Sequence, residues 1–331
     1  MQGYVLTRKG LGSTMELREV PEPTAADDEV LVRVEAAGLN PVDSKVQVAG
    51  ARLVWPLDLP RVAGSELSGV VEDVGRDVTR FTVGDRVFAR VDKRRLGAYA
   101  RYCVVQEDLV AKMPDALGFE DAAGLPLAGL TAWQGLQQLD VGPGQRVFIS
   151  GGAGGVGTLA IQLAVHMGAE VATTASTRGE ELVRSLGAEI VIDYRKQQFR
   201  DVLSDYDSAF LLTRGRDLKD AFTILKRGGN AISVTHIDPV TAREDLAAGP
   251  VVIAAVWAAN STIRRQTRRA GIRYRSLLMR PSGEDLGMLA DLVSRHQLKP
   301  ITDQVFPFER ISDAFTYLEQ GHAKRKVIVR L

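Results

Sequence analysis

From the start of the chain to about residue 120, short runs of alternating apolar and polar residues are separated by turn residues, the pattern of half-buried strands. The alternation is most regular over 29–36, where Val30, Val32 and Val34 share one face, and 68–74 and 86–91 read as further short strands. A compact β domain is expected there. Residues 120–138 change to helical spacing and stop before the turn Val141-Gly142-Pro143-Gly144. Beyond it, strands and helices alternate, with strands at 170–174, 190–192, 209–212 and 231–234 and helices through 182–186 and 218–225. Such alternation predicts a parallel sheet with helices on both faces. Residues 251–259 are apolar and lead into Arg264, Arg265, Arg268 and Arg269. That run is too short to span a bilayer, so we expect an amphipathic helix packed on its own domain or on a second subunit. A last strand of the sheet is expected at 274–279 and a helix at 284–296. The closing segment, 305–329, reads as strand, helix and strand and is expected to rejoin the N-terminal domain.

One stretch, 147–164, organises the second half. A β-rich apolar run meets Gly151-Gly152-Ala153-Gly154-Gly155-Val156-Gly157, and the cluster opens onto Leu159, Leu163 and Met167 at the spacing of a helix face. Gly152, Gly154 and Gly157 fall in the register G-x-G-x-x-G. Glycines there permit the tight turn, close approach of backbone to a pyrophosphate, and close helix-on-strand packing. The phosphates would face free N–H groups at a helix N-terminus. Strand, turn and helix together predict dinucleotide binding.

Composition narrows the class. With 331 residues and 45% hydrophobic content there is room for two domains with their own cores. A formal net charge of +1 argues against a dedicated nucleic-acid binder. No apolar stretch reaches about 18 residues, and the N-terminus lacks the basic and apolar regions of a signal peptide, so a cytoplasmic protein without a membrane partner is expected. The single cysteine, Cys103, excludes an intramolecular disulfide and a multi-cysteine zinc site. Its neighbours Tyr102, Val104 and Val105 suggest a small hydrophobe in a strand. The four histidines, His166, His236, His296 and His322, show no ligand spacing.

Asn40-Pro41-Val42-Asp43, Gly64-Ser65-Glu66-Leu67-Ser68-Gly69, Val83-Gly84-Asp85-Arg86-Val87, Leu125-Pro126-Leu127-Ala128-Gly129-Leu130-Thr131-Ala132-Trp133 and the glycine cluster stand in the order seen in medium-chain dehydrogenase/reductases. The chain most resembles their zinc-independent quinone oxidoreductase and alkenal (enone) reductase branch. Phe306-Pro307-Phe308, Ala314-Phe315 and Lys326-Val327 are similar to the enone reductases in particular. The resemblance covers nearly the whole chain. It implies an α/β protein in which a GroES-like β-rich catalytic domain (1–121 and 298–331) is interrupted by a Rossmann doubly wound parallel-sheet domain (122–297), with the active site in the cleft between them.

Zinc can be weighed residue by residue. The alcohol dehydrogenase branch carries a cysteine where this chain has Asn40 and a histidine where it has Ser65; neither replacement makes a good zinc ligand. A metal-free site favours reduction of a conjugated C=C or a quinone, whose carbonyl needs only hydrogen-bond polarisation. An NAD enzyme usually places an acid about 20 residues beyond the glycine turn. This chain has Ser176, Thr177 and Arg178 there, hydroxyls and a cation suited to a phosphate, so NADP(H) is expected. The resemblance adds Tyr194 beside the adenosine phosphate and Lys326 near the pyrophosphate. The cofactor set is then Gly152, Ala153, Gly154, Gly155, Val156, Gly157, Ser176, Thr177, Arg178, Tyr194 and Lys326. Asn40, Lys45 and Thr131 are expected to line the substrate pocket, with Asp43 shaping their loop.

The chain departs from its relatives at Leu211-Leu212-Thr213-Arg214, on the nicotinamide side, and at Lys45 and Arg101. The expected function is NADPH-dependent hydride transfer to a small-molecule enone or quinone by a homodimer. The alternatives are a non-catalytic NADPH-binding sensor or crystallin-like protein, and alcohol dehydrogenase activity without zinc.

Overall fold

The computed structural model describes residues 1–9, 12–45, 57–215, 217–246, 248–320, 323 and 325–331. Contacts divide the chain into two units, Met1–Leu130 with Arg280–Leu331, and Thr131–Met279. This division differs from the expected one at 122–130 and 280–297, both of which fall in the first unit.

In the first unit, β1 (Gln2–Lys9), β2 (Gly12–Glu19) and β4 (Arg61–Val62) form a three-stranded sheet in the order β2-β1-β4. The larger sheet is built on β3 (Glu29–Leu39). Val30, Val32 and Val34 point into the core while Leu31, Arg33 and Glu35 are half-buried, so the expected alternation is present. It disappears over Ala36, Ala37, Gly38 and Leu39, all buried, where the strand lies between two paired neighbours. Those neighbours are β5 (Glu66–Val74) and β16 (Lys326–Arg330), both antiparallel to it. With β6 (Arg86–Arg90), β8 (Val110–Lys112) and β15 (Thr302–Pro307) the order is β15-β16-β3-β5-β6-β8, and β7 (Tyr102–Gln106) also pairs with β3. Helix α1 (Pro41–Lys45) follows β3 directly.

The expected helix over 120–138 is two helices, α2 (Phe119–Ala123) and α3 (Pro126–Gln138). Pro126 explains the break, because proline fits only the first helical turn.

The second unit is a six-stranded parallel sheet. Its strands are β9 (Arg146–Ile149), β10 (Glu170–Ala175), β11 (Ile190–Asp193), β12 (Tyr206–Leu211), β13 (Leu225–Ser233) and β14 (Arg273–Ser276). The order β11-β10-β9-β12-β13-β14 reverses direction at β9, which is the doubly wound topology with its switch point between β9 and β12. Helices α4 (Gly155–His166), α5 (Thr177–Ser185) and α6 (Asp217–Ile224) follow β9, β10 and β12. Three more, α7 (Pro239–Glu244), α8 (Pro250–Ala259) and α9 (Ser261–Ala270), stand between β13 and β14.

Helix α10 (Gly283–Ser294) returns to the first unit by packing on β8, where a Cβ on Gly283 would come 2.4 Å from the Val110 carbonyl oxygen. Helix α11 (Ile311–Glu319) joins β15 to β16, and its Phe315 lies in the same core as Val30 and Val327.

Cys103 lies in β7 and is buried, as its apolar setting predicts. Burial pushes its thiol up to about 12. At neutral pH the thiolate fraction is then on the order of one in ten thousand or less. The native protein should resist a chromogenic disulfide reagent for as long as it stays folded and release one equivalent on denaturation. Rapid labelling of the folded chain would contradict this placement.

Candidate functional site

The β3–α1 junction carries the first cluster. Glu66, at the start of β5, is fully buried. Its Oε1 accepts from Asn40 Nδ2 at 2.7 Å and Lys326 Nζ at 2.5 Å, and its Oε2 accepts from the Leu127 backbone N–H at 2.6 Å. Leu127 sits in the first turn of α3, so the carboxylate caps that helix and meets the positive end of its dipole. Lys326 Nζ also donates to Asn40 Oδ1 at 2.6 Å and to the Leu39 carbonyl oxygen at 3.2 Å. An ammonium has three donors, and all three are engaged within the first unit. Lys326 is therefore a buried partner of Asn40 and Glu66 and holds no donor in reserve for a pyrophosphate. Gly38 makes room for this cluster: a Cβ there would lie 2.2 Å from Glu66 Oε1.

Asp43 fixes the other side of the loop. Its Oδ2 accepts the Asn40 backbone N–H at 2.9 Å and lies 3.1 Å from the Tyr99 hydroxyl. Burial raises the Asp43 carboxyl above its usual range, opposed by the Ser65 hydroxyl and the Arg90 guanidinium. The Tyr99 hydroxyl is held well above the ordinary phenol range by burial and by the Asp43 carboxylate. Arg90, also buried, donates to the Ser65 and Val91 carbonyl oxygens at 2.6 and 2.5 Å, which ties the turn before Glu66 to the end of β6. Val42, Asp43, Ser65, Arg90 and Tyr99 line a small pocket together with Gly64. Lys45 ends α1, and its side chain lies outside the described residues, as does His322. Thr131 is a buried residue of α3 in the second unit.

The second cluster surrounds the glycine turn. Gly151 has φ 68°, in the left-handed region. A Cβ on Gly152 would lie 2.2 Å from Thr173 Oγ1, and one on Gly157 would lie 2.4 Å from the Gly151 carbonyl oxygen. Gly154 is the N-cap of α4 and brings no capping side chain. The first-turn amides of Gly155, Val156 and Gly157 therefore have no intrahelical acceptor and face the turn, an arrangement suited to a phosphate. Ala153 packs beside Gly179 of α5, where a Cβ would come 2.9 Å from its own.

Parallel pairing of Ala175 with Asp193 sets the ends of β10 and β11 side by side. Ser176, Thr177 and Arg178 thus share one edge with Tyr194 and with two cations that the sequence alone did not single out, Arg195 and Lys196. Thr177 Oγ1 donates to Asp193 Oδ2, and the Arg195 N–H donates to Asp193 Oδ1 at 3.0 Å. These two bonds hold the Asp193 carboxyl below its usual range. The Thr177 hydroxyl thus faces a carboxylate, while Arg178 and Tyr194 are exposed.

The departure at 211–214 has an internal explanation. Ser150 Oγ, buried at the end of β9, accepts from Leu212 N at 2.9 Å and Thr213 N at 3.2 Å and lies 2.8 Å from Thr213 Oγ1. Thr213 Oγ1 also reaches Asp217 in the first turn of α6. Hydroxyls thus pin the loop to the end of β9 and the start of α6.

Residues 26–115 match the alcohol dehydrogenase GroES-like domain family, and residues 186–329 match the zinc-binding dehydrogenase family. The chain is 35% identical over 340 residues to an Arabidopsis thaliana chloroplastic NADPH-dependent alkenal/one oxidoreductase, covering 99% of this chain and 79% of that one. It is 34% identical to the 2-methylene-furan-3-one reductase of Solanum lycopersicum, with the same coverage. The structure of the quinone oxidoreductase from Coxiella burnetii superposes with a TM-score of 0.84 at 30% identity, over 100% of this chain and 99% of that one. With a glycine-rich turn at the switch point of a doubly wound sheet and relatives that are NAD(P)H oxidoreductases along nearly its whole length, this chain is a nicotinamide-dependent oxidoreductase and belongs to the medium-chain dehydrogenase/reductase family.

Proposed function

We propose that the protein is an NADPH-dependent reductase of α,β-unsaturated carbonyls or quinones that works without zinc. The observation that carries this reading is the Asn40–Lys326–Glu66 cluster. Zinc-binding relatives would need thiolate or imidazole ligands there. This chain offers an amide, a hydroxyl at Ser65, and a carboxylate whose countercharge is already supplied by Lys326 at 2.5 Å. These residues do not fit a zinc ion. Bound NADPH would supply the hydride. Asn40 commits one amide N–H to Glu66 and keeps the second for a substrate carbonyl oxygen, while Lys326 and Asp43 hold its side chain and its backbone. Developing enolate charge would be stabilised there by a preorganised donor.

The test is NADPH oxidation with a simple enone, using NADPH deuterated at the nicotinamide carbon that transfers hydride. The label should appear at the β-carbon of the product. Oxidation of a secondary alcohol with NADP, with no enone or quinone reduced, would sink the reading.

The preference for NADPH rests on Arg178 and its neighbours at the β10–β11 edge. A charge-assisted contact to the ribose phosphate contributes about 1.5 to 3 kcal/mol, so Arg178→Ala should lower NADPH affinity roughly tenfold to a hundredfold and leave NADH affinity unchanged. Thr177→Ala should do much less, since that hydroxyl is directed at Asp193. Equal affinities for the two cofactors in the unaltered protein would refute the assignment. The position of β14 at the edge of the sheet, unpaired on its outer side among the described residues, supports a homodimer paired across a two-fold axis, for which light scattering is the check.

A further inference from the structure

Helix α8 is apolar on every side, from Pro250 through Val251, Val252, Ile253 and Val256 to Trp257, and none of its residues is buried. Val251 is 83% and Trp257 58% exposed. A helix apolar all round ordinarily lies inside a core or in lipid. Within its own unit it packs only on α7 and α9, and its apolar surface is otherwise open among the described residues. Asn260 alone separates α8 from α9, and its side-chain amide donates to the Ile237 carbonyl oxygen at 3.1 Å, which anchors the pair to the turn after β13. Helix α9 packs on α6, with Ile263 against the core of the second unit; it exposes Arg265, Arg268 and Arg269, while Arg264 is half-buried. The Arg264 guanidinium lies 3.6 Å from the Trp257 ring centroid. None of these four arginines forms an ion pair among the described residues.

We propose that α8 and α9 dock the protein on the surface of an anionic phospholipid bilayer. At ten residues, α8 is about 15 Å long, half of what a span requires, and suits a helix lying in the plane of the headgroups. Trp257 is the side chain favoured at that depth, and the half-buried Arg264 guanidinium lies over its ring. Arg265, Arg268 and Arg269 bring uncompensated positive charge immediately next to the apolar helix, in a chain whose net charge is only +1. Guanidinium pairs well with phosphate, and an anionic leaflet concentrates it. A second copy of the chain fits less well, because a two-fold contact across α8 and α9 would set the same arginines against each other. Nucleic acid would satisfy the arginines and leave α8 in water.

The experiment is co-sedimentation of the full chain with vesicles of phosphatidylglycerol and phosphatidylcholine in equal parts, and with phosphatidylcholine vesicles alone. Binding should require the anionic lipid and weaken with salt. Each arginine near such a surface adds about fivefold to partitioning, so Arg265→Gln, Arg268→Gln and Arg269→Gln together should weaken binding about a hundredfold. Trp257→Ser should weaken it as well, and both variants should keep the unaltered protein's far-ultraviolet dichroism and turnover of a water-soluble enone. Absence of binding to the anionic vesicles, or binding that survives the triple substitution, overturns the proposal. So does a vesicle-free dimer that Trp257→Glu converts to monomer, which would show that a second copy covers α8.

Discussion

Replacing Lys326 with methionine should destabilise the first unit by roughly 3 to 5 kcal/mol, the cost of leaving a buried carboxylate without its countercharge. Glu66 is fully buried, Lys326 is 5% exposed, and their contact is 2.5 Å. Methionine matches the stem of lysine and supplies none of its donors. Glu66 keeps only the Asn40 amide and the Leu127 N–H, and Asn40 Oδ1 loses its donor. Turnover should therefore fall with stability, because the Asn40 amide is no longer held in one orientation. NADPH affinity should change little, since Lys326 faces Asn40 and Glu66. Adding Glu66→Gln should restore much of the stability by removing the unpaired charge. Denaturant unfolding of the single and double variants measures both effects. A loss below about 1 kcal/mol, the range of exposed pairs, would mean that the cluster is solvated. A selective loss of NADPH affinity would return Lys326 to the pyrophosphate.

The parts of this molecule that were legible in the sequence are those specified locally. Alternation at Val30, Val32 and Val34 gave the strand, and the spacing of Gly152, Gly154 and Gly157 gave the turn between β9 and α4. The Glu66–Lys326 pair is different, for its partners are 260 residues apart and neither carries a local pattern that names the other. Two weak signals did exist. Gly38 interrupts an otherwise β-branched and alanine-rich strand, and a glycine there marks close approach by another group, in this case Glu66. Lys326 opens the wholly apolar run Val327-Ile328-Val329, a setting in which a lysine needs a buried anion. The break at Pro126 was readable from proline chemistry, yet its consequence, a helix start aimed at Glu66, depends on the tertiary fold. For α8 the helical length was legible, but burial was not, since uniform apolarity carries no facing direction.

Substituting alanine at Gly157 and at Gly154 should separate the two tasks of the glycine turn. At Gly157 an added Cβ would lie 2.4 Å from the Gly151 carbonyl oxygen and 2.7 Å from Gly152 Cα. Both are backbone atoms of the tight turn itself, so no rotamer change relieves the clash. Gly157→Ala should cost the cofactor-free protein about 1 to 3 kcal/mol or more and should abolish NADPH binding, because the turn must open before the helix can seat. At Gly154 the nearest atom to an added Cβ is the Gly151 carbonyl oxygen at 3.3 Å, a contact that a few tenths of an ångström relieve. Gly154→Ala should therefore leave the cofactor-free protein within about 0.5 kcal/mol of the original. Its NADPH affinity should nevertheless fall by about tenfold or more, since what a methyl at the N-cap of α4 obstructs is a phosphate approaching the free amides of Gly155 and Val156. Calorimetric titration with NADPH and unfolding of each variant without cofactor give the four numbers needed. If Gly154→Ala binds NADPH as tightly as the original chain, no pyrophosphate lies against this turn, and the dinucleotide site must be sought elsewhere on the sheet.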